Sequence, residues 1–525
     1  MKRLFAVLGM TCTTLALAAP PVTKLTTLHT FQYTEAFLPI GSLVEGEDGV
    51  FYGVTAYGGA RGGGTVHKIT SAGVLTTLFD FEQSTLAAQG SAPVSGLVRG
   101  ADGAFYGTTR DGGRDGLSGE GILYRITSAG VLTLMHSFTE ADGMKGGELM
   151  LASDGNFYGI AEGGGGANGG GTIYRMTPNG TFTVLHNFAG DATEVGGGLS
   201  RLVEGPGMVL YGTARTGGYT VPDIEGTFYS LAPNGNFNVL YRFNVGRSRP
   251  TGVVFGSDGM LYGSTADGGG FKLTTGGTYT QLHYLLGCSC GTALGGFPSG
   301  TLLLRGDGLF YGVTTHGGVD NWGTIYSMSP TGALESVHSF NGTDEGMAPA
   351  AALTEGRDGR LYGTTSGFNT GGTVFKLAFL PAAPATLGAA PANVGEVALT
   401  WSAVRSANSY NVYRGTASGA LNATPVLTGV TGTGVTVTAL LGGTSYFFAV
   451  AAVNEAGVGP QSLEASAVPT APPVTMLPVA PKSSGGGKID GLTLAVLLLC
   501  VTIGVLHPAR RRRIGLTGRV AQFSR

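Results

Sequence analysis

Seven copies of one pattern run between Leu43 and Leu377, and the least disrupted runs from Leu97 through Asp102-Gly103 and Phe105-Tyr106-Gly107-Thr108 to Ile122–Ile126 and Phe138. Its landmark tyrosines are Tyr52, Tyr106, Tyr158, Tyr211, Tyr262, Tyr311 and Tyr362, spaced 49 to 54 residues apart. That period suits one four-stranded propeller blade and is too long for most helical or leucine-rich repeats. Each copy reads as four short strands, A to D, because β-branched and aromatic residues alternate between Gly, Asp, Asn and Ser clusters.

Spacing separates the rigid parts of the repeat from the free ones. Nine residues separate the start of strand A from the tyrosine of strand B in all seven copies, and seventeen separate the glycine before strand C from the end of strand D in the six complete ones. The B-to-C spacing instead runs from six to fifteen and the D-to-A spacing from ten to seventeen. In an up-and-down sheet these two variable connections share one face, where ligand-binding loops on a rigid scaffold are expected. The seventh copy stops after strand C, and Leu25-Thr-Thr-Leu-His-Thr-Phe31 supplies a strand D ahead of the first strand A. The expected fold is all-β: a seven-bladed β-propeller over residues 24–378, closed by this N-terminal strand so that no blade edge is left unpaired at the seam.

Residues 1–18, with Lys2, Arg3, an apolar run and Ala16-Leu17-Ala18, read as a secretory signal peptide. After a linker over 379–390, residues 391–468 carry Val397–Trp401, Tyr410–Tyr413 and Tyr446–Asn454 as alternating strands. This segment resembles a fibronectin type III domain, which implies that Trp401 is its core tryptophan and Tyr446 its tyrosine-corner residue. A Pro/Ser/Gly linker over 469–488 leads to a hydrophobic segment over 489–513, with Leu492–Leu506 and Arg510–Arg513, and a tail over 514–525. Fifteen apolar residues are short for a span of about 20. A plain membrane anchor is one reading. The order of Ser484-Gly485-Gly486-Gly487, short helix and arginines resembles instead the GlyGly-CTERM sorting tail, which implies cleavage near the glycines by a rhombosortase-type protease and display on, or release from, a Gram-negative cell. Lys488, Asp490 and the extension past Arg513 depart from that pattern.

Removing both ends takes away nine of 31 basic residues and one of 33 acidic ones, leaving a net charge near −10, which argues against nucleic acid as a partner. Cys288 and Cys290 then remain, as a local bridge or a free pair, and with His283 they fall short of a zinc pattern. His29, His136, His186, His283 and His338 share one strand-D position that holds Phe79 or Tyr241 in other copies, so packing rather than metal ligation is expected there. Gly163–Gly166 and Gly62–Gly64 open no helix and are not phosphate cradles. Asp48, Asp102, Asp154, Asp258, Asp307 and Asp358 belong to turns rather than calcium loops, and the fourth copy, with Pro206, keeps its turn without the Asp.

What remains are residues that break the symmetry on the variable face: Arg114, Asp115, Glu120, Asp223, Glu225, His316, Asp320, Asn321 and Trp322. Trp322 either stacks on a sugar or packs on its own blade. No nucleophile elbow, metalloprotease helix or other catalytic signature appears, so no catalytic residue, metal or cofactor is assigned. Residues 25–377, with Tyr262-Gly-Ser-Thr and Tyr362-Gly-Thr-Thr, resemble the GloVer tandem-repeat family, called choice-of-anchor proteins for their varied sorting tails. The resemblance implies localisation more than activity. The expected function is surface-displayed binding of an extracellular polysaccharide or protein; an enzyme acting on a glycan through carboxylates of the same face, or a self-associating matrix component, are the alternatives.

Overall fold

The computed structural model describes residues 21–84, 87–113, 120–166, 169–190, 198–215, 224–244, 249–284, 295–367 and 371–474. The signal segment, the sorting tail with Ser484–Gly487, and Cys288 and Cys290 lie outside them. The described residues are all-β, and no helix among them is long and apolar enough to cross a membrane.

Seven antiparallel sheets follow the repeat, each ordered A-B-C-D. Sheet 1 comprises Ala36–Glu45, Phe51–Gly58, Gly62–Ile69 and Leu75–Glu82. In sheet 2 strand A is broken into Ser91–Pro93 and Val98–Arg99, both paired with Phe105–Asp111. Sheet 7 takes A, B and C from Thr354–Glu355, Leu361–Thr365 and Thr373–Phe379, and its fourth strand is Thr23–Thr30, running from Thr23↔Phe379 to Thr30↔Thr373.

The landmark tyrosines carry the packing from sheet to sheet. Tyr52 stacks on Phe105 at 4.0 Å, Tyr106 meets Phe157 at 4.0 Å and Tyr262 stacks on Phe310 at 4.3 Å. Tyr362 of sheet 7 stacks on Phe51 of sheet 1 at 3.8 Å, so the succession returns to its start. Such pairs add about 1 kcal/mol each beyond area burial. The tyrosine hydroxyl donates to the turn aspartate, as in Tyr262 Oη to Asp258 Oδ2 at 2.8 Å, while the other oxygen accepts the turn N–H of Met260 at 3.1 Å. In the fourth copy Gly207, not Pro206, takes the aspartate's position, with φ 71°. Three residues beyond the tyrosines, Thr55, Thr109, Thr265, Thr314 and Thr365 are buried, and each Oγ1 accepts the first strand-C N–H at 2.9 to 3.1 Å.

Strand A of all seven sheets lines one cavity of about 720 Å³, so the A strands are the inner ones. Its wall is mostly Leu and Val, with Arg99, Arg201, Glu45, Glu204 and Glu355 as charged members.

Behind the sheets, Leu387–Pro391 pairs with Val397–Trp401, so the sandwich begins ahead of the expected residue 391 and shortens the linker. Trp401 is buried against Tyr410 at 5.3 Å, and the Tyr446 hydroxyl accepts the Leu441 N–H at 3.1 Å. This domain rests on the A–B turn of sheet 7, on the side of the sheets where the A–B and C–D turns lie. Arg360, 7% exposed, donates twice to Glu455 at 2.6 Å and once to Asn408 at 2.8 Å. Arg405 donates to Glu355 and to the Arg357 carbonyl, and Asn454 donates to the Phe379 carbonyl.

Hydrogen bonds from Arg360 hold the Glu455 carboxyl at about 2, against an ordinary value of 4.5. A depressed carboxylate stabilises fully above its ordinary value and loses that contribution as pH falls through the folded one. The side chain is 18% exposed, so the contribution is on the order of 2–3 kcal/mol after allowance for solvent. Lowering pH from 5 to 2 is therefore expected to detach the sandwich from the sheets in wild type, read by small-angle scattering. Glu455→Gln is expected to be loose already at pH 5; an unchanged profile would refute the role of the pair.

Candidate functional site

The B–C and D–A connections open on the face opposite the sandwich, and a repeated joint builds that face. The glycine before strand C has positive φ in all seven copies, from 90° to 145°. A Pro of the next sheet packs on it: a Cβ on Gly64, Gly226, Gly323 or Gly372 would lie 2.5 to 2.8 Å from Cδ of Pro93, Pro250, Pro349 or Pro39. The residue before that Pro also has positive φ, as at Leu38, Ala92, Arg249, Phe297 and Ala348, and Lys145 occupies the same place before Gly146. Its N–H reaches the preceding sheet: Leu38 to the Gly371 carbonyl at 2.7 Å, Lys145 to Glu120 at 2.8 Å and Ala348 to Trp322 at 2.9 Å. Side chains at this joint therefore stand beside those at the end of the preceding strand B.

Arg114, Asp115 and Asp223 lie outside the described residues, as does the side chain of Glu225. His316, Asp320, Asn321 and Trp322 share one loop of sheet 6. Asn321, with φ 63°, accepts the Gly317 N–H at 2.8 Å and closes that loop. Trp322 packs one side on Gly342, where a Cβ would meet its Cδ1 at 2.3 Å, and stays 38% exposed. His316 sits edge-on to Phe297 at 5.3 Å, and Phe297 is 41% exposed. Glu120 stands apart in sheet 2; burial, then Glu140 and Asp142, push its carboxyl up.

Two groups on this face escaped the sequence reading. Tyr33, Phe37 and Tyr57 form an aromatic row with centroid separations of 5.3 and 5.5 Å, and Tyr33 is 52% exposed. Arg110 borders it, 3.4 Å from the Tyr57 hydroxyl and 3.1 Å from Asp111 Oδ2. Around the axis, the place four residues after the landmark tyrosine holds Ala56, Ala266, Thr315 and Ser366 in four sheets but Arg110, Glu162 and Arg215 in the other three. Burial pushes the Glu162 carboxyl up against the pull of Lys145 and Arg215, and lowers Arg215, which the like charge of Arg249 lowers further. Glu162 and Arg215 are nonetheless exposed, as groups on the wall of a concavity are. Deeper, Glu148 is raised by burial against Arg201, which lines the central cavity. Counting from each tyrosine would have found these charges, because they replace small residues.

The strand-D histidines pack: His136 lies on Phe182 and His186 on Phe237, both at 3.8 Å. Three also meet carboxylates, His136 with Asp142 at 2.9 Å, His338 with Glu345 at 3.1 Å and, more distantly, His29 with Glu35 at 3.9 Å. Among the described residues no group of three or more His, Cys, Asp or Glu side chains could hold a metal ion.

No curated protein matches the chain. Among solved structures, the extracellular domain of a hybrid two-component system from B. thetaiotaomicron is 9% identical with a TM-score of 0.45, over 86% of this chain and 58% of that one. This chain thus spans little more than half of that relative. An oligogalacturonate lyase from Vibrio parahaemolyticus is 12% identical with a TM-score of 0.42, over 67% of this chain and 93% of its own. An Fn3-like protein from Clostridium thermocellum is 35% identical with a TM-score of 0.16, over 18% of this chain and 98% of its own. The fibronectin type III model matches residues 382–468, the segment that holds Trp401 and the Tyr446 corner. The Gloeobacter/Verrucomicrobia repeat model matches residues 14–164, 114–285 and 267–387, and with its seven antiparallel repeat sheets the chain belongs to that repeat family, with a fibronectin type III domain behind the repeats.

Proposed function

We propose that the chain is an exported binding protein of the cell surface, whose seven sheets are the blades of a β-propeller and whose loop face engages an extracellular polysaccharide. The carrying observation is the placement of exposed aromatic side chains, Tyr33, Phe297 and Trp322, on the face away from the sandwich. Flat aromatic surfaces rimmed by polar groups suit sugar rings, offering apolar contact and hydrogen bonds together. The sandwich, pinned through Arg360 and Glu455, acts as a spacer toward the sorting tail and leaves that face clear. Export through residues 1–18 and processing of the tail by a rhombosortase-type protease belong to the same reading.

The test is retention of the full-length protein on neutral and acidic cell-wall polysaccharides, with released sugar assayed together. Tyr57→Ala and Trp322→Ala are each expected to weaken retention roughly tenfold, about 1–2 kcal/mol for a lost stacking contact, without lowering the melting temperature much. Undiminished retention in the double variant would remove the aromatic surfaces from the site. A second reading, glycan hydrolysis, draws on the raised Glu120 carboxyl beside Glu140 and Asp142, and soluble product abolished by Glu120→Gln would establish it.

A further inference from the structure

On the loop face Arg110 pairs with Asp111, but four other cations there differ from those of the turn face. On the turn face Arg99 pairs with Glu47, Arg305 with Asp307 and Glu355, Arg360 with Glu455 and Arg405 with Glu355. Around the loop-face mouth, Lys145, Arg201, Arg215 and Arg249 make no side-chain hydrogen bond or ion pair of 4 Å or less among the described residues. Glu148 interacts with Arg201, and Glu162 with Lys145 and Arg215, which leaves Arg249 with the like charge of Arg215 as its neighbour in a chain whose overall charge is negative.

The joint described above brings these cations together. Pro250 seats on Gly226, whose Cβ position lies 2.6 Å from both Pro250 Cδ and the Ala214 carbonyl oxygen. Arg249 and Arg215, one residue from each, are therefore held side by side by backbone rather than by an acidic partner. Like charges kept adjacent and partly desolvated destabilise one another. A bound anion relieves that repulsion, and two guanidinium groups offer paired donors to a carboxylate or a sulfate.

Resting on the polysaccharide reading, we propose that the mouth between sheets 3 and 5 is a subsite for the acidic groups of an anionic polysaccharide, held by Arg215 and Arg249 with Lys145 and Arg201 as the supporting field. Glu148 and Glu162 keep the site from becoming a general polyanion surface, in line with the argument against nucleic acid. The aromatic row at Tyr57 and the loop at Trp322 would then take sugar rings to either side of the charged subsite.

The experiment measures retention of full-length protein on polyuronate, on sulfated dextran, and on the same polyuronate with its carboxyls reduced, at 50 and 200 mM salt. Wild type is expected to bind the polyuronate or the sulfated polymer at least tenfold more tightly than the reduced polymer, with the difference shrinking at 200 mM salt. The polymer that binds more tightly identifies the acidic group. Arg215→Gln/Arg249→Gln is expected to lose at least tenfold on the acidic polymer and less than twofold on the reduced one. The exposed Lys24→Gln, in the strand that closes the ring, is expected to change neither. Lys145→Gln is a further, milder variant should the double variant melt early. Equal retention of acidic and reduced polymers, or a folded double variant that still prefers the acid, overturns this subsite while leaving the polysaccharide reading standing. Retention of none of the three overturns both.

Discussion

Deleting Thr23–Thr30 is expected to lower stability by about 5 kcal/mol and to make the protein self-associate more than wild type does. The strand pairs with Thr373–Phe379 over seven registered positions and brings Leu25 and Leu28 against the cores that join sheet 7 to its two neighbours. Losing two partly buried leucines and a ladder of hydrogen bonds accounts for about that much. The larger consequence is topological. Strand C of sheet 7 would become an exposed edge of Thr, Val and Phe residues, a template for another chain. Two readouts follow: a drop in melting temperature, and concentration-dependent oligomers by light scattering. A synthetic peptide spanning residues 21–33, added in trans, is expected to reverse the association and restore most of the melting temperature. A truncated protein that associates no more than wild type and melts with it would show that sheet 7 does not depend on its N-terminal strand.

That strand was legible because Leu25–Phe31 reproduces a strand D out of place, and a displaced copy has no simpler use than closing the repeat. The turn aspartates were equally legible, since a residue that recurs with its tyrosine four positions later has a local structural partner. The docking of the sandwich was not. Arg360 looks like any turn arginine, and nothing near Glu455 in sequence points to it; the pair exists because the short link after Phe379 swings the two domains together. Loop residues such as Trp322 and His316 stand out by chemistry, whereas Arg215 and Glu162 sit at the ends of regular strands, where a strand reading assigns packing. Their significance comes from the packing of successive sheets, which sets side by side positions about fifty residues apart in the chain. The strand-D histidines show the converse limit: interchange with Phe and Tyr implied packing, as found at His136 and His186, but the carboxylates at Asp142 and Glu345 come from loops of variable length that no register aligns.

Gly372→Ala is expected to cost about 4 kcal/mol, whereas Gly235→Ala, equally left-handed, is expected to cost only about 1 kcal/mol. Both glycines have positive φ, 101° and 86°, so both substitutions meet the same backbone preference. Their surroundings differ. Nothing lies within 4 Å of a Cβ on Gly235, in a turn open to solvent. On Gly372 the added carbon would stand 2.4 Å from the Thr365 carbonyl oxygen and 2.5 Å from Pro39 Cδ. Neither neighbour can yield easily. Thr365 belongs to strand B, and its Oγ1 holds the Thr373 N–H at 3.1 Å, while Pro39 follows Leu38, whose N–H is fixed at 2.7 Å to the Gly371 carbonyl across the seam. Relief therefore requires sheets 7 and 1 to part. Because the same contact recurs at Gly64 with Pro93 and at Gly323 with Pro349, the alanine penalty should recur there, and a second such alanine should melt the protein outright. Chemical denaturation of the four single variants decides the matter. If Gly372→Ala loses no more than Gly235→Ala, the glycine serves only its backbone angle, and the proline joint is not what holds neighbouring sheets at their spacing.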